Sequence, residues 1–391
     1  MKIQTILKEI VILLSLGTFV ICLPLSTLGQ NQKPAWKGKI ETENGVKVIK
    51  NPREPLYGEM KFDLQEELSI GNEDDKNYMF YVVKDIAVDL KGNIYVLDAR
   101  NFRIQEFDRN GKFLQTIGRQ GQGPGEFQRP ARMRLDDQTG YLYVRDGPIN
   151  LHIFDGSGKY VRTVHFKDVF GDFEPINPES FMAILHKSSD KDLISTHALC
   201  RVDLNGEAIK TFAQFPYTIF VQKSGQGVLS VSTGFELAMH LSKLDSGAFI
   251  YGYSKEYEIN AIDPEGSILF RIKKEEPRPA FTAKEKSEFG KIPIPENKPY
   301  FFSIFNDSAA RIYVQRNYAD GIRGRGPTDI RDKEIDIFSK GGYFLYKMTL
   351  PANTCVIKDG LLYAYKIDED RAMEYVKRYR IKNWDQTKTG I

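Results

Sequence analysis

The chain has 391 residues, a net charge of +3 and 27% charged residues. That mixed surface excludes a protein built around one strong basic field for a polyanion. Aromatic residues make up 12%, with 20 Tyr and 25 Phe against 2 Trp, and such residues suit half-buried pleated strands.

The N-terminus reads as a targeting segment. Lys2 and Lys8 precede an uncharged stretch over 10–29, with the apolar run IVILLSLGTFVICL and small residues at Thr27 and Gly29. A basic start, an apolar run and small residues at its end form a secretory signal peptide, 1–29, which makes the protein periplasmic or extracellular. Twenty uncharged residues also have the length of a membrane anchor, against which Pro24 counts. Lipidation at Cys22 is a third alternative, although Ile21 stands where such signals place a small residue. Membrane contact is expected only through this segment, uncleaved or lipidated. Residues 30–60 form an N-terminal extension with a weak strand over 39–50; NPREPLYG, 51–58, has two prolines and a glycine and breaks regular structure. KFDLQEELSI, 61–70, reads as a further strand, with a short helix fitting almost as well.

Two matching segments follow, at 86–117 and 133–164. Each reads as three short strands with two glycine turns. Gly111 and Gly158 are 47 residues apart, and Tyr95 and Tyr143 are 48 apart. Self-similarity at that period marks a radial or stacked repeat, and one such array absorbs a length that otherwise suggests two or three domains. The outer-strand turn recurs at Gly206, Gly266 and Gly341, at spacings of 48, 60 and 75. The growing spacing means loop insertions between units. In one of them, FTAKEKSEF has Thr282 and Glu285 at capping-box spacing for a short helix. The fifth unit has an inner strand over 309–314. The last, CVIKDGLLYAYK and EYVKRYRI, lacks a full set of strands. The predicted fold is therefore all-β: a six-bladed β-propeller of four-stranded antiparallel blades over 61–384, its ring closed by the N-terminal strand at 61–70 joining the last blade, with a C-terminal tail at 385–391. Cys200 and Cys355 fall on opposite sides of such a ring, too far apart for a disulfide, and are expected as buried, unpaired thiols.

The stretch from Asp85 to Asp98, DIAVDLKGNIYVLD, followed by NFRIQEFDRNGKF and GRQGQGPGEFQRP, resembles an NHL-type repeat. The whole chain is similar to exported bacterial six-bladed propellers of the NHL-like group. The resemblance is specific in the first two units. It implies a shape, and it carries no activity with it.

Chemical motifs are sparse. GRQGQGPG lacks the following helix and the Lys-Ser/Thr pair of a phosphate loop, so it reads as an inter-blade turn. The acidic turns at Asp108, Asp155, Asp203 and Asp263 are too short for calcium loops and read as hairpin turns whose Asp bonds its own backbone. Among five histidines, His152 reads as a strand residue; His186 and His197 flank a loop where a metal could hold them together, at a spacing that gives little support. No cofactor is expected, with a structural or axial calcium or zinc ion left open. Arg323, Arg325 and Arg331 with Tyr318 form a basic loop, but Asp320, Asp329 and Asp332 dilute it, and nucleic acid is disfavoured.

The expected function is therefore a binding module for a protein or small-molecule ligand, acting through its loop face and central channel. Lys84 and Arg132 precede two inner strands and are the candidates at the channel mouth; Tyr318, Arg323 and Arg325 on the long fifth-blade loop come second. No catalytic residue is assigned. The alternative is a metal-dependent lyase or hydrolase at the axis. Convergent carboxylates or histidines with shifted pKa values would mark the enzyme, and an exposed apolar patch would mark the binding module.

Overall fold

The structure is a computed structural model and describes residues 35–188, 195–217, 220–224, 227–231, 235–290, 294–318, 333–351, 354–368 and 373–391. Arg323 and Arg325 lie outside them, as do residues 1–34, which include the stretch read from sequence as a signal peptide. Residues Trp36–Ile391 form one compact unit, an all-β six-bladed propeller.

Blade one comprises strands Val83–Val88, Ile94–Asp98, Arg103–Phe107 and Phe113–Ile117; blade two comprises Pro130–Leu135, Leu142–Asp146, Asn150–Phe154 and Tyr160–His165. Each repeat thus carries four strands rather than three. The middle of the segment turns back at Phe102, with φ of 53°, in blade one and at Gly147 in blade two. Only the second of these turns carries the glycine by which a sequence reading recognises it.

Blade three is Val169–Asn177, Ser180–Ser188, Ser195–Asp203 and Ala208–Tyr217. Blade four is Met239–Lys243, Phe249–Tyr253, Glu258–Ile262 and Ile268–Lys274. Blade five is Ser303–Asn306, Ile312–Tyr318, Lys333–Phe338 and Phe344–Leu350. Blade six takes Thr354–Lys358, Leu361–Asp368 and Met373–Ile381, and its outermost strand is Leu64–Ile70, antiparallel to Met373–Ile381. The N-terminal hairpin Lys39–Glu43 and Val46–Asn51 adds to blade four, with Val46–Asn51 parallel to Ile268–Lys274.

Six apolar clusters fill the seams between consecutive blades. Leu97 meets Val144 between blades one and two, Tyr143 meets Phe181 between two and three, and Leu199 meets Tyr251 between three and four. Ile259 meets Phe338, Ile335 meets Leu362, and Val376 meets Val96, so blade six packs back on blade one. Alternation along each strand presents one apolar row to each neighbouring blade, and stacking around the ring removes both rows from water.

The outer turns follow one design. Gly111, Gly158, Gly206 and Gly266 have φ between 77° and 88° and donate N–H to the carbonyls of Asp108, Asp155, Asp203 and Asp263. The aspartate side chain accepts further backbone N–H groups of the turn, such as those of Asn110 and Lys112 at Asp108. In blade five the residue in this conformation is Gly342, not Gly341, with φ of 86° and its N–H on the Ser339 carbonyl. Counting three residues from Ser339, which stands where the other turns have Asp, identifies it. The inner strand expected over 309–314 likewise starts late, at Ile312. Asp307 turns the chain first, taking the N–H groups of Ala309 and Arg311, and Ala310 sits at φ of 57°.

GRQGQGPG is an inter-blade turn held by Glu126, whose carboxylate accepts the Gly123 N–H and pairs with Arg119; the strand Pro130–Leu135 follows it. Thr282 and Glu285 form the capping box of helix Ala283–Phe289. Cys200 is buried and free, its Sγ 3.3 Å from the Thr211 hydroxyl; the Cys355 side chain lies outside the described residues.

Candidate functional site

The first strand of every blade lines a central cavity of about 1890 Å³. Its two ends differ in chemistry. Where the inner strands finish, Asp136, Asp137, Asp245, Asp307 and Asp359 gather around Lys358, which pairs with Asp137 at 2.7 Å. Burial together with the charge of Asp137 raises the Asp245 carboxyl. Where the inner strands begin, arginines and histidines from blades two, three and four converge on the cavity: Arg132, Arg134, Arg145, His186, His197 and His240.

The inner strands of blades one, two and three are joined by ion pairs across the seams. Arg132 Nη2 lies 3.0 Å from Asp172, Arg134 Nε lies 2.8 Å from Glu174, and Arg134 Nη1 lies 3.6 Å from Asp85. Burial opposes the charge on Asp172, but Arg132, Arg134 and His240 hold its carboxyl below the usual range. Burial outweighs Arg134 at Glu174 and pushes that carboxyl up. Three guanidiniums thus face three carboxylates, yet the pairing leaves one over. Arg145 has no carboxylate within ion-pair distance among the described residues. Its Nη1 donates to the Phe170 carbonyl at 2.9 Å and lies 3.5 Å from that of Gly171, and its guanidinium stands 6.0 Å from the Phe170 ring. Burial, with Arg132 nearby, lowers its pKa.

His186 and His197 do converge, but on each other. They sit directly opposite in the hairpin of blade three, with His197 Nε2 3.2 Å from His186 Nδ1. Tyr217 stacks on His197 at 4.2 Å. Burial lowers His197 to about 3 and His240 to about 4, and burial with the Arg145 charge lowers His186. All three rings are therefore neutral at pH 7. Among the described residues, no group of three His, Cys, Asp or Glu side chains is arranged to hold a metal ion. His152 serves the fold, between Thr163 at 2.8 Å and Asp146 at 3.4 Å.

Lys84 and Arg132, the sequence candidates, both line the cavity; Lys84 is exposed and Arg132 is paired with Asp172. Tyr318 ends a strand of blade five, opposite Lys333, and its side chain lies outside the described residues. Sequence reasoning missed Arg145, Asp172 and His240, and it raised His186 and His197 only as a weakly supported metal pair. One signal was available: positions 186 and 197 are symmetric about the turn of a hairpin, and antiparallel register places such residues face to face.

The fold and cavity define the class: a six-bladed β-propeller with a polar axial cavity. Residues 73–322 match the family profile described as a domain of unknown function, DUF4934, and the chain belongs to that family. It resembles a solved Bacteroides fragilis protein whose name proposes that it is exported, at 11% identity and a TM-score of 0.53, over 86% of this chain and 99% of that one. It also resembles a Bacteroides vulgatus member of the DUF4221 family, at 12% identity and a TM-score of 0.51, over 82% of this chain and 99% of that one. At these identities the likeness shows the fold alone. No helix among the described residues is long and apolar enough to cross a membrane.

Proposed function

We propose that the protein is an exported, NHL-like propeller acting as a binding module, which takes a small ligand at the arginine–histidine end of its channel. The carrying observation is Arg145: a guanidinium on the wall of a large cavity, with no carboxylate to pair it among the described residues. Charged groups in such positions are normally paired, and an unpaired one facing a cavity is suited to a ligand's opposite charge. Export is supported by the basic and apolar pattern of 1–29 and by the name of the Bacteroides fragilis relative. N-terminal sequencing of the mature protein tests it: a start near residue 30 supports cleavage, and a blocked Cys22 supports lipidation.

The binding reading is tested by a thermal-shift screen of small acids, sugars and amino acids on wild type and on Ala238→Trp. Ala238 lines the same end of the cavity, so the indole narrows it. Ligands that stabilise wild type should lose their effect in the variant. Equal stabilisation of both, or none of either, overturns the reading.

A second reading, catalysis at the axis, is favoured by the convergent histidines and carboxylates with shifted pKa values. A neutral imidazole at His186 is a competent proton carrier. Turnover of a bound ligand, followed by mass spectrometry and lost in His186→Asn while affinity persists, would establish it.

A further inference from the structure

Resting on the channel-binding reading, we infer that the ligand carries a carboxylate, received by the His186 Nε2–H and the Arg145 guanidinium on either side of Gly171. The first support is a directed hydrogen-bond chain. The Met239 backbone N–H donates to His197 Nδ1 at 3.2 Å. In a neutral imidazole the other nitrogen then carries the proton, so His197 Nε2–H donates to His186 Nδ1. His186 must in turn carry its proton on Nε2. That nitrogen has no hydrogen-bond partner among the described residues, and it lies beside Gly171, which lines the cavity as His186 does. A backbone amide two residues removed in the chain of bonds thus makes the channel-facing nitrogen a donor, which calls for an acceptor on the ligand.

Gly171 is the second support. Its backbone is outside the left-handed region, so conformation does not require glycine. A Cβ there would lie 3.0 Å from His186 Nε2, with nothing else nearer than 3.9 Å. The missing methyl therefore leaves His186 Nε2 open. The Gly171 carbonyl is 3.5 Å from Arg145 Nη1, so this residue lies between the two donors. Arg145 Nη2 makes no hydrogen bond among the described residues.

Charge selects the acceptor. Arg132 and Arg134 are engaged by Asp172, Glu174 and Asp85, whereas the Arg145 guanidinium bonds only to carbonyls among the described residues. One cation and one neutral donor suit a planar monoanion, and Asp172 nearby disfavours a phosphate dianion.

The test compares 3-phenylpropionate, its uncharged amide and inorganic phosphate by calorimetry, with ring ¹⁵N spectra of His186. The acid should bind about tenfold or more tightly than the amide, since charged hydrogen bonds are the stronger ones, and should shift the His186 Nε2 resonance. Phosphate should bind more weakly than the acid. Gly171→Ala should retain the wild-type thermal midpoint and lose the acid, and Arg145→Gln should weaken it about tenfold or more. Equal binding of acid and amide, tighter binding of phosphate, or an acid that ignores Gly171→Ala overturns the assignment, as does no binding of the acid at millimolar concentration. If ligands remain blocked by Ala238→Trp while indifferent to Gly171→Ala and Arg145→Gln, the carboxylate assignment falls and channel binding stands. If Ala238→Trp blocks none, both fall.

Discussion

The turn that leads into blade one and the seam between blades two and three place polar groups in equivalent surroundings and use them differently. Asp98 is fully buried at the end of the second strand of blade one. It accepts from the Tyr81 and Val82 N–H groups at 3.1 and 3.4 Å, from Asn101 at 2.7 Å and from Arg103 at 3.2 Å. Every donor is matched, and the result is a pinned incoming loop. Asp146 repeats this in blade two, accepting from the Gln128 and Arg129 N–H groups. One strand position away, Arg145 meets two carbonyls and no carboxylate, and His186 leaves a ring nitrogen unmatched. Satisfied buried groups hold a fold together; unsatisfied ones at a cavity wall mark where something else completes them.

The sharpest way to break this contrast is Asp98→Ala. It leaves two backbone N–H groups without their acceptor and takes the carboxylate from the half-buried Arg103, which keeps its bond to the Met79 carbonyl, and should destabilise by about 2–4 kcal/mol in urea unfolding. Arg145→Gln should cost about 1 kcal/mol or less. Equal losses would make Arg145 a structural residue.

Acid should weaken the histidine region next. His197, His240 and His186 all have folded pKa values below that of an unfolded histidine, about 6.5. Below that pH the unfolded chain takes up protons that the folded ring excludes, so stability is full above it and falls as pH drops toward 4. His197→Phe should reduce the slope of stability against pH between 4.5 and 6.5 by about 1.4 kcal/mol per unit. Comparing the two proteins cancels the carboxylates. An unchanged slope would mean that His197 is protonated in the fold.

The smallest effect separates two kinds of glycine. Gly342→Ala forces a side chain into φ of 86° and against Ile272 at 2.9 Å, and should cost about 1 kcal/mol. Gly341→Ala should cost less, and Gly171→Ala should leave thermal unfolding in place while closing the His186 donor. A larger loss at Gly341 would reverse the turn assignment.

Much of the fold was legible because propeller turns are local. An Asp or Ser followed three residues later by glycine closes a hairpin through contacts within five residues, so Asp108-Gly111 and Asp155-Gly158 announce themselves. Gly341 was misjudged for Gly342 because adjacent glycines hide which one follows Ser339 by three. The middle turn of the first unit carries no glycine and is closed by Phe102 at φ of 53°, which hides its fourth strand; Gly147 at the equivalent turn of the second unit is the signal that reveals it. The fifth-blade loop drew attention through its arginines, and Arg323 and Arg325 lie outside the described residues.

The candidate site was not legible in the same way. Arg145, Gly171, His186 and His240 come from three blades and gain meaning only when the ring brings their strands to one channel. By itself the sequence determined the hairpin turns, the alternating apolar rows and hence a closed array of blades, because these depend on residues near in the chain. The tertiary structure decided which polar residues found partners. Pairing across a seam depends on the ring's geometry, and that geometry matched Arg132 and Arg134 with carboxylates, directed the His197–His186 bond toward the cavity, and left Arg145 without a counter-charge.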